Sequence, residues 1–182
     1  MYKFAPASEN ETIVFGSARP GYSNEQVNEW IEFMQNQGIK QVCCLLSTSQ
    51  LNYYANLLEV YQQNFGCNQI CWAPIEDFCL VDRETLIQQI LPFLVAANQN
   101  QQRVVVHCSG GVGRTGQILT AWLVAGRGWS HQEAIAAVQK TGRNPHEAII
   151  AAPFQGRNPW QVAKNLALLL DECDRFRGYY QV

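Results

Sequence analysis

The stretch His107-Cys108-Ser109-Gly110-Gly111-Val112-Gly113-Arg114-Thr115-Gly116 brings together residue types whose spacing points most directly to chemistry. A cysteine heads a five-residue turn containing three glycines, and an arginine closes it. The valine run before it, Val104-Val105-Val106, reads as a buried strand, and residues 117–125 after it read as a buried helix. A glycine-rich turn that opens a helix leaves several N–H groups without intrahelical partners. They converge on one concavity, where the helix dipole adds positive charge. Such a cup fits an anion of phosphate size, and Arg114 supplies a planar, two-pronged donor for its oxygens. Ser109, Gly110, Gly111, Val112, Gly113 and Arg114 are therefore the expected anion-binding residues. Cys108 at the mouth of the cup is expected to act as a thiolate, because N–H donors, a helix N-terminus and a guanidinium all favour the charged form.

The elements that must position this loop follow from periodicity and punctuation. Residues 13–22 predict a short strand broken by Gly16, then a Pro-Gly turn. Ser23 with Gln26 forms a capping box for a helix whose apolar positions are Val27, Trp30, Ile31 and Met34 and which ends at Gly38. Residues 39–46 predict a second buried strand and residues 51–65 one helix stopping at Gly66. Residues 68–75 predict a third strand. A loop carrying Glu76 and Asp77 follows, then Asp82 as N-cap of a helix through Leu86, Ile90, Leu91 and Leu94. Ser130 and Glu133 cap a further helix, residues 141–145 break the chain, and residues 161–175 form a last amphipathic helix ahead of Tyr179-Tyr180, which carry no specific signal. Alternating strands and helices imply an α/β fold. One domain spans residues 1–182, with a central, mainly parallel sheet flanked by helices on both faces and the phosphate loop between a buried strand and a helix. Ligands bind beyond the carboxyl ends of such strands, where the Cys108 loop falls.

Composition narrows the classes. The 182 residues are 47% apolar and 15% charged with a net charge of −2, which gives no reason to expect a nucleic-acid or membrane partner. No run reaches the length of a membrane span, and residues 1–12 lack the regions of a signal peptide, so a cytoplasmic monomer is expected. Seven cysteines without a disulfide framework or a paired Cys-x-x-Cys spacing suit a reducing compartment and argue against a zinc site.

His107 to Gly116 resembles the signature loop of the cysteine-dependent protein tyrosine phosphatases, the dual-specificity group included. The resemblance implies hydrolysis of phosphate monoesters on proteins through a phosphocysteine, without metal or cofactor. Pro74-Ile75-Glu76-Asp77-Phe78 is similar to the family's general-acid loop and makes Asp77 the acid, with Glu76 and Asp82 as the other carboxylates that loop offers. By the same likeness, Asp77 serves as base in the second step. The family more often has glycine or a second turn residue where Phe78 stands. His107 is expected to orient the loop, and Thr115 to place a hydroxyl near Cys108. Gln161, with Gln155 as the alternative, resembles the glutamine that positions the hydrolytic water. Arg19, Arg143 and Arg157 are either contacts for a second phosphate or surface ion-pair residues. The lack of lysine in the loop favours a phosphoprotein or phosphopeptide, carrying phosphotyrosine and phosphoserine or phosphothreonine, over a polyanionic lipid. Rival readings are a phosphoinositide or other non-protein phosphomonoester, a silent phosphate-binding module, or a sulfurtransferase or arsenate reductase. The last two chemistries need a persulfide donor or a resolving thiol.

Overall fold

A computed structural model describes residues 2–180. Five strands form one sheet: β1 (Ala5–Pro6), β2 (Val14–Ala18), β3 (Ile39–Cys44), β4 (Ile70–Trp72) and β5 (Arg103–Cys108). Their order is β1-β2-β5-β3-β4; only β1 runs antiparallel, pairing with β2. The central strand β5 is therefore hydrogen-bonded on both sides, with Ala18 opposite Cys108 on one flank and Cys44 opposite His107 on the other.

Side chains on β5 alternate between the two faces, as the two-residue period of a strand demands. Val104, Val106 and Cys108 join the core beneath α4 (Leu91–Gln99), α5 (Gly113–Arg127), α6 (His131–Lys140) and α8 (Pro159–Tyr180). Val105 joins the core beneath α1 (Asn24–Asn36) and α3 (Leu57–Phe65), where Trp30 and Tyr61 are fully buried. Helix α5 is buried from Gly113 to Ala125, which accounts for its apolar sequence and few charges. The result is a single α/β domain with helices on both faces of the sheet. Among the described residues, no helix is long and apolar enough to cross a membrane.

Both capping boxes form, at Ser23 with Gln26 and at Ser130 with Glu133. Four expectations need correction. Gly16 does not break its strand: a Cβ there would lie 2.9 Å from Leu119 Cδ1 and Thr115 Cγ2, so the glycine lets α5 approach β2 closely. Residues 51–65 are not one helix but α2 (Thr48–Leu51) and α3, because Tyr54 is drawn away to donate its hydroxyl to Pro20 O at 2.9 Å. The helix after Asp82 opens with a π-turn over Thr85–Ile90, since Pro92 cannot donate to the preceding turn and its ring crowds the carbonyl there. A short helix, α7 (Glu147–Ala151), and a single turn over Ala152–Gln155 follow the 141–145 break, with no sequence signal strong enough to announce them. The side chains of Tyr179 and Tyr180 lie outside the described residues.

Candidate active site

Strand β5 delivers Cys108 to the carboxyl edge of the sheet, 3% exposed at the base of the loop. Gly116 N–H makes the first helical hydrogen bond of α5, to Val112 O at 2.9 Å, so the N–H groups just before it have no helix acceptor. Gly111 takes φ = +68°, and a Cβ there would fall 2.6 Å from Ser17 O. The glycine thus serves two needs at once, a left-handed turn and contact with the end of β2. Arg19 N–H fastens the other side of the loop by donating to Cys108 O at 2.9 Å.

Arg114 is 2% exposed, and its guanidinium is held in one orientation. Nη1 donates to Gln50 Oε1 and to Ile75 O, both at 2.8 Å, and more weakly to Leu45 O at 3.4 Å. Nη2 faces Asp77 Oδ1 at 3.0 Å in an ion pair that lacks hydrogen-bond alignment. The Asp77 side chain is 47% exposed, so it is free to leave the arginine when a stronger oxyanion arrives. Asp77 lies on a turn closed by Cys79 N–H to Glu76 O at 3.1 Å. Gln117 of α5 ties down the far side of the turn, accepting from Val81 N–H at 3.3 Å and donating to Cys79 O at 3.1 Å.

A cysteine, an anchored arginine and an aspartate thus meet at one edge of the sheet. Residues 22–150 match the dual specificity phosphatase catalytic domain. The chain belongs to the dual specificity phosphatase family. A catalytic domain of this type supports phosphoester hydrolysis. The chain is 27% identical over 118 residues to the Phosphoglucan phosphatase DSP4, amyloplastic, of Castanea sativa; the match covers 63% of this chain and 32% of that protein, so the chain spans about a third of its relative. Solved structures show the same fold. PTPMT1 in complex with PI(5)P superposes with a TM-score of 0.68 at 14% identity, covering 93% and 96% of the two chains. Tk-PTP in its active form gives 0.64 at 23%, covering 88% and 96%. Kinase associated phosphatase gives 0.61 at 24%, covering 72% and 78%.

Other expected residues of the phosphatase occupy less uniform positions. His107 is fully buried, with Nε2 3.3 Å from Tyr61 Oη and its ring edge-on to Trp30. Burial, assisted by the Arg114 and Arg19 charges, pushes its pKa down to about 3, so it is a neutral scaffold group. Thr115 Oγ1 is buried and has no hydrogen-bond partner. Glu76 is exposed on the turn, while Asp82 Oδ1 accepts from Thr85 N–H at 2.8 Å and caps the next helix. Gln161 is exposed on α8 and donates along the helix to Asn165 Oδ1 at 2.9 Å. Gln155 lies beside Arg157, whose Nη2 also donates to Phe78 O at 2.5 Å. Phe78 itself takes φ = +58°, a conformation that glycine adopts without strain.

Arg19 is engaged by neighbouring protein groups rather than by a carboxylate among the described residues. Its guanidinium lies 3.6 Å above the Tyr22 ring and donates to Tyr54 Oη and Pro20 O. Arg143 is 4% exposed and clamps Gly16 O and Lys3 O at 2.7 and 2.6 Å, which makes it structural. Two residues escaped the sequence entirely. Gln50 holds Arg114, and Glu147, first residue of α7, sets its carboxylate where a Cβ on Gly113 would be. Burial and then the Asp77 charge push the Glu147 pKa up, against Arg114, the Gly113 N–H and Lys3. Gln50 completes a capping box with Ser47, a local signal that marks the start of α2 but not its hold on Arg114, while Glu147 belongs to no local pattern.

Proposed function

We propose that this phosphatase acts on phosphoproteins, on phosphotyrosine first and on phosphoserine and phosphothreonine more slowly, through a phosphocysteine. The reading rests on one observation: Asp77 faces the Nη2 group of Arg114, beside the Cys108 loop. The Cys108 thiolate attacks phosphorus in line while the loop N–H groups and Arg114 hold the equatorial oxygens. The incoming oxyanion takes Nη2 from Asp77; the released carboxylate takes a proton from solvent and, as the acid, gives it to the leaving oxygen. Water attacks the phosphocysteine, the P–S bond breaks, and the electron pair returns to Sγ.

Cations around the cup favour a protein over a polyphosphorylated headgroup. The Arg19 and Arg143 guanidiniums are spent on protein groups, while Asp77 and Glu147 add negative charge. A second reading, a phosphorylated glucan, draws support from Phe154 and Trp160, which are 90% and 84% exposed on the segment that Arg157 ties to the acid turn. Flat aromatic faces suit sugar rings, and the Castanea sativa relative is named for a phosphoglucan.

The test is initial-rate hydrolysis of p-nitrophenyl phosphate in EDTA by wild type and Cys108→Ser, followed by a panel of phosphotyrosine peptide, phosphoserine peptide, phosphorylated amylopectin and PI(5)P. Turnover abolished in Cys108→Ser, with the phosphotyrosine peptide ahead in kcat/KM, is expected. Amylopectin ahead of both peptides would replace the first reading by the second.

A further inference from the structure

We infer that Arg157 is a positioning residue for the acid: it holds the turn that carries Asp77, so that the carboxyl stays facing the Arg114 end of the phosphate cup. The inference rests on the mechanism proposed above, in which Asp77 is the acid. Arg157 comes from a distant part of the chain, between the single turn over Ala152–Gln155 and α8. Its Nη2 donates to Phe78 O at 2.5 Å and its Nη1 to Cys79 Sγ at 3.6 Å, so one guanidinium spans the two residues that follow the acid. Both ends of this stretch are anchored elsewhere: Ile75 O accepts from Arg114, while Cys79 O and Val81 N–H are held by Gln117. At the apex, Phe78 has φ = +58°, a left-handed conformation that its Cβ opposes. A residue of this kind persists where its surroundings over-determine it. Arg157 supplies that constraint at the carbonyl of the strained residue, one position from Asp77.

The plainer account has Arg157 fasten its own segment and nothing else. That segment closes without the turn, because Arg157 N–H donates to Ala152 O at 2.9 Å and Nη2 also donates to Gln155 Oε1. The contacts with Phe78 and Cys79 add nothing to that closure. They also leave Nε buried without a hydrogen-bond partner. A buried donor without an acceptor is destabilising, which fits a side chain set by what the turn needs rather than by its own packing. A second phosphate is not its ligand either, since both terminal nitrogens already face protein acceptors. Without Arg157, Phe78 is free to relax toward negative φ. Because both ends of the stretch are anchored, that rotation must be absorbed at Glu76 and Asp77, and the carboxyl is re-aimed. Arg157 thus touches neither the proton nor the leaving oxygen and acts through the turn.

The test compares kcat/KM on phenyl phosphate, whose leaving oxygen needs a proton, with kcat/KM on p-nitrophenyl phosphate, whose phenolate departs with little help. Arg157→Met keeps the reach of the side chain and removes its donors, while Arg157→Lys keeps one. Arg157→Met is expected to lose about tenfold on phenyl phosphate, the lower end for a hydrogen bond to a charged group, and less than about twofold on p-nitrophenyl phosphate. Inhibition by inorganic phosphate should be unchanged, and Arg157→Lys should recover part of the loss. In an Asp77→Asn background, Arg157→Met should cost nothing further, because it acts through that carboxyl. Equal losses on the two esters, a full second loss in the Asp77→Asn background, or no loss on phenyl phosphate would overturn the inference. Arg157→Gln, too short to span the turn but polar enough for its own segment, is read in the same way where Arg157→Met folds poorly. Asp77→Asn without any leaving-group dependence would remove the acid, and the inference with it. Turnover that survives Cys108→Ser would remove the thiolate mechanism itself, an outcome distinct from all of these.

Discussion

Replacing Gln50 by leucine tests whether the arginine of the loop is held in place from outside it. Gln50 Oε1 accepts from Arg114 Nη1 at 2.8 Å and also from Ser47 N–H at 3.3 Å, so one oxygen joins the start of α2 to the catalytic guanidinium. A hydrogen bond to a charged group is worth about 1.5–3 kcal/mol. Nη1 keeps Ile75 O at 2.8 Å as a second acceptor, so the loss belongs at the lower end, about 1.5 kcal/mol, or roughly tenfold in kcat/KM. The inhibition constant of inorganic phosphate should weaken alongside, because a misaligned guanidinium binds the ground-state oxyanion less well too. Leucine also removes the Ser47 N–H acceptor, a cap contribution of about 1 kcal/mol, so thermal unfolding must be followed in parallel. Gln50→Glu keeps an acceptor and should stay closer to wild-type stability, while its charge competes with phosphate for Arg114. If Gln50→Leu stays within twofold of wild type in kcat/KM and in phosphate inhibition, the guanidinium is oriented by the carbonyls of Leu45 and Ile75 alone, and the argument fails.

Other perturbations reach the framework around the site. Glu11 is buried and accepts from Arg127 Nε and Nη2, Trp122 Nε1 and Ile13 N–H; burial opposes its ionisation, but these partners outweigh it and lower its pKa. Glu11→Ala should cost about 3–5 kcal/mol, or about 6–20 °C in Tm for a chain of this size. Because the folded pKa lies below the unfolded value of about 4.3, that advantage is complete above the unfolded pKa and is lost as pH falls through the folded one, so the Tm gap between wild type and variant should close on titration from neutral to acid pH. Gly16→Ala forces a Cβ to 2.9 Å from Leu119 and Thr115 and should destabilise by about 1–3 kcal/mol in urea titration, with activity falling as Thr115 is pushed. Phe78→Gly removes a left-handed strain of about 1–2 kcal/mol against a chain-entropy cost of about 0.5–1 kcal/mol; Tm should not fall, although the side chain beside the acid is gone.

The division between what was legible in the sequence and what was not follows the range of the interactions. Cys108, Arg114 and the glycines between them sit within seven residues, and the order strand, loop, helix is a local fact, so chain position alone brings them together. Both capping boxes are likewise exchanges over three residues. Asp77 was reachable because a turn at the end of a strand in a parallel sheet must lie at the same edge as the Cys108 loop. Gln50, 64 residues from Arg114, and Glu147, 34 residues from Gly113, have no such guarantee, and amide and carboxylate side chains are too common for either to stand out. The one helix expected over residues 51–65 failed for the same reason: its periodicity is real, but Tyr54 finds a better partner in Pro20, 34 residues away.

On the proposed mechanism the loop holds the oxyanion and presents a sulfur to it, while the side chains that meet the loop from outside come from three other places: Gln50 from α2, Asp77 from the turn after β4, and Glu147 from the start of α7. Those segments lie outside the regular core, and each reaches the loop through a few polar contacts. Changes in them can therefore retune proton transfer and substrate choice while leaving the buried strand β5 and helix α5 untouched. The substrate of this phosphatase is thus to be sought in Gln50, Phe78, Glu147 and the exposed aromatics at Phe154 and Trp160, more than in the residues between Cys108 and Arg114.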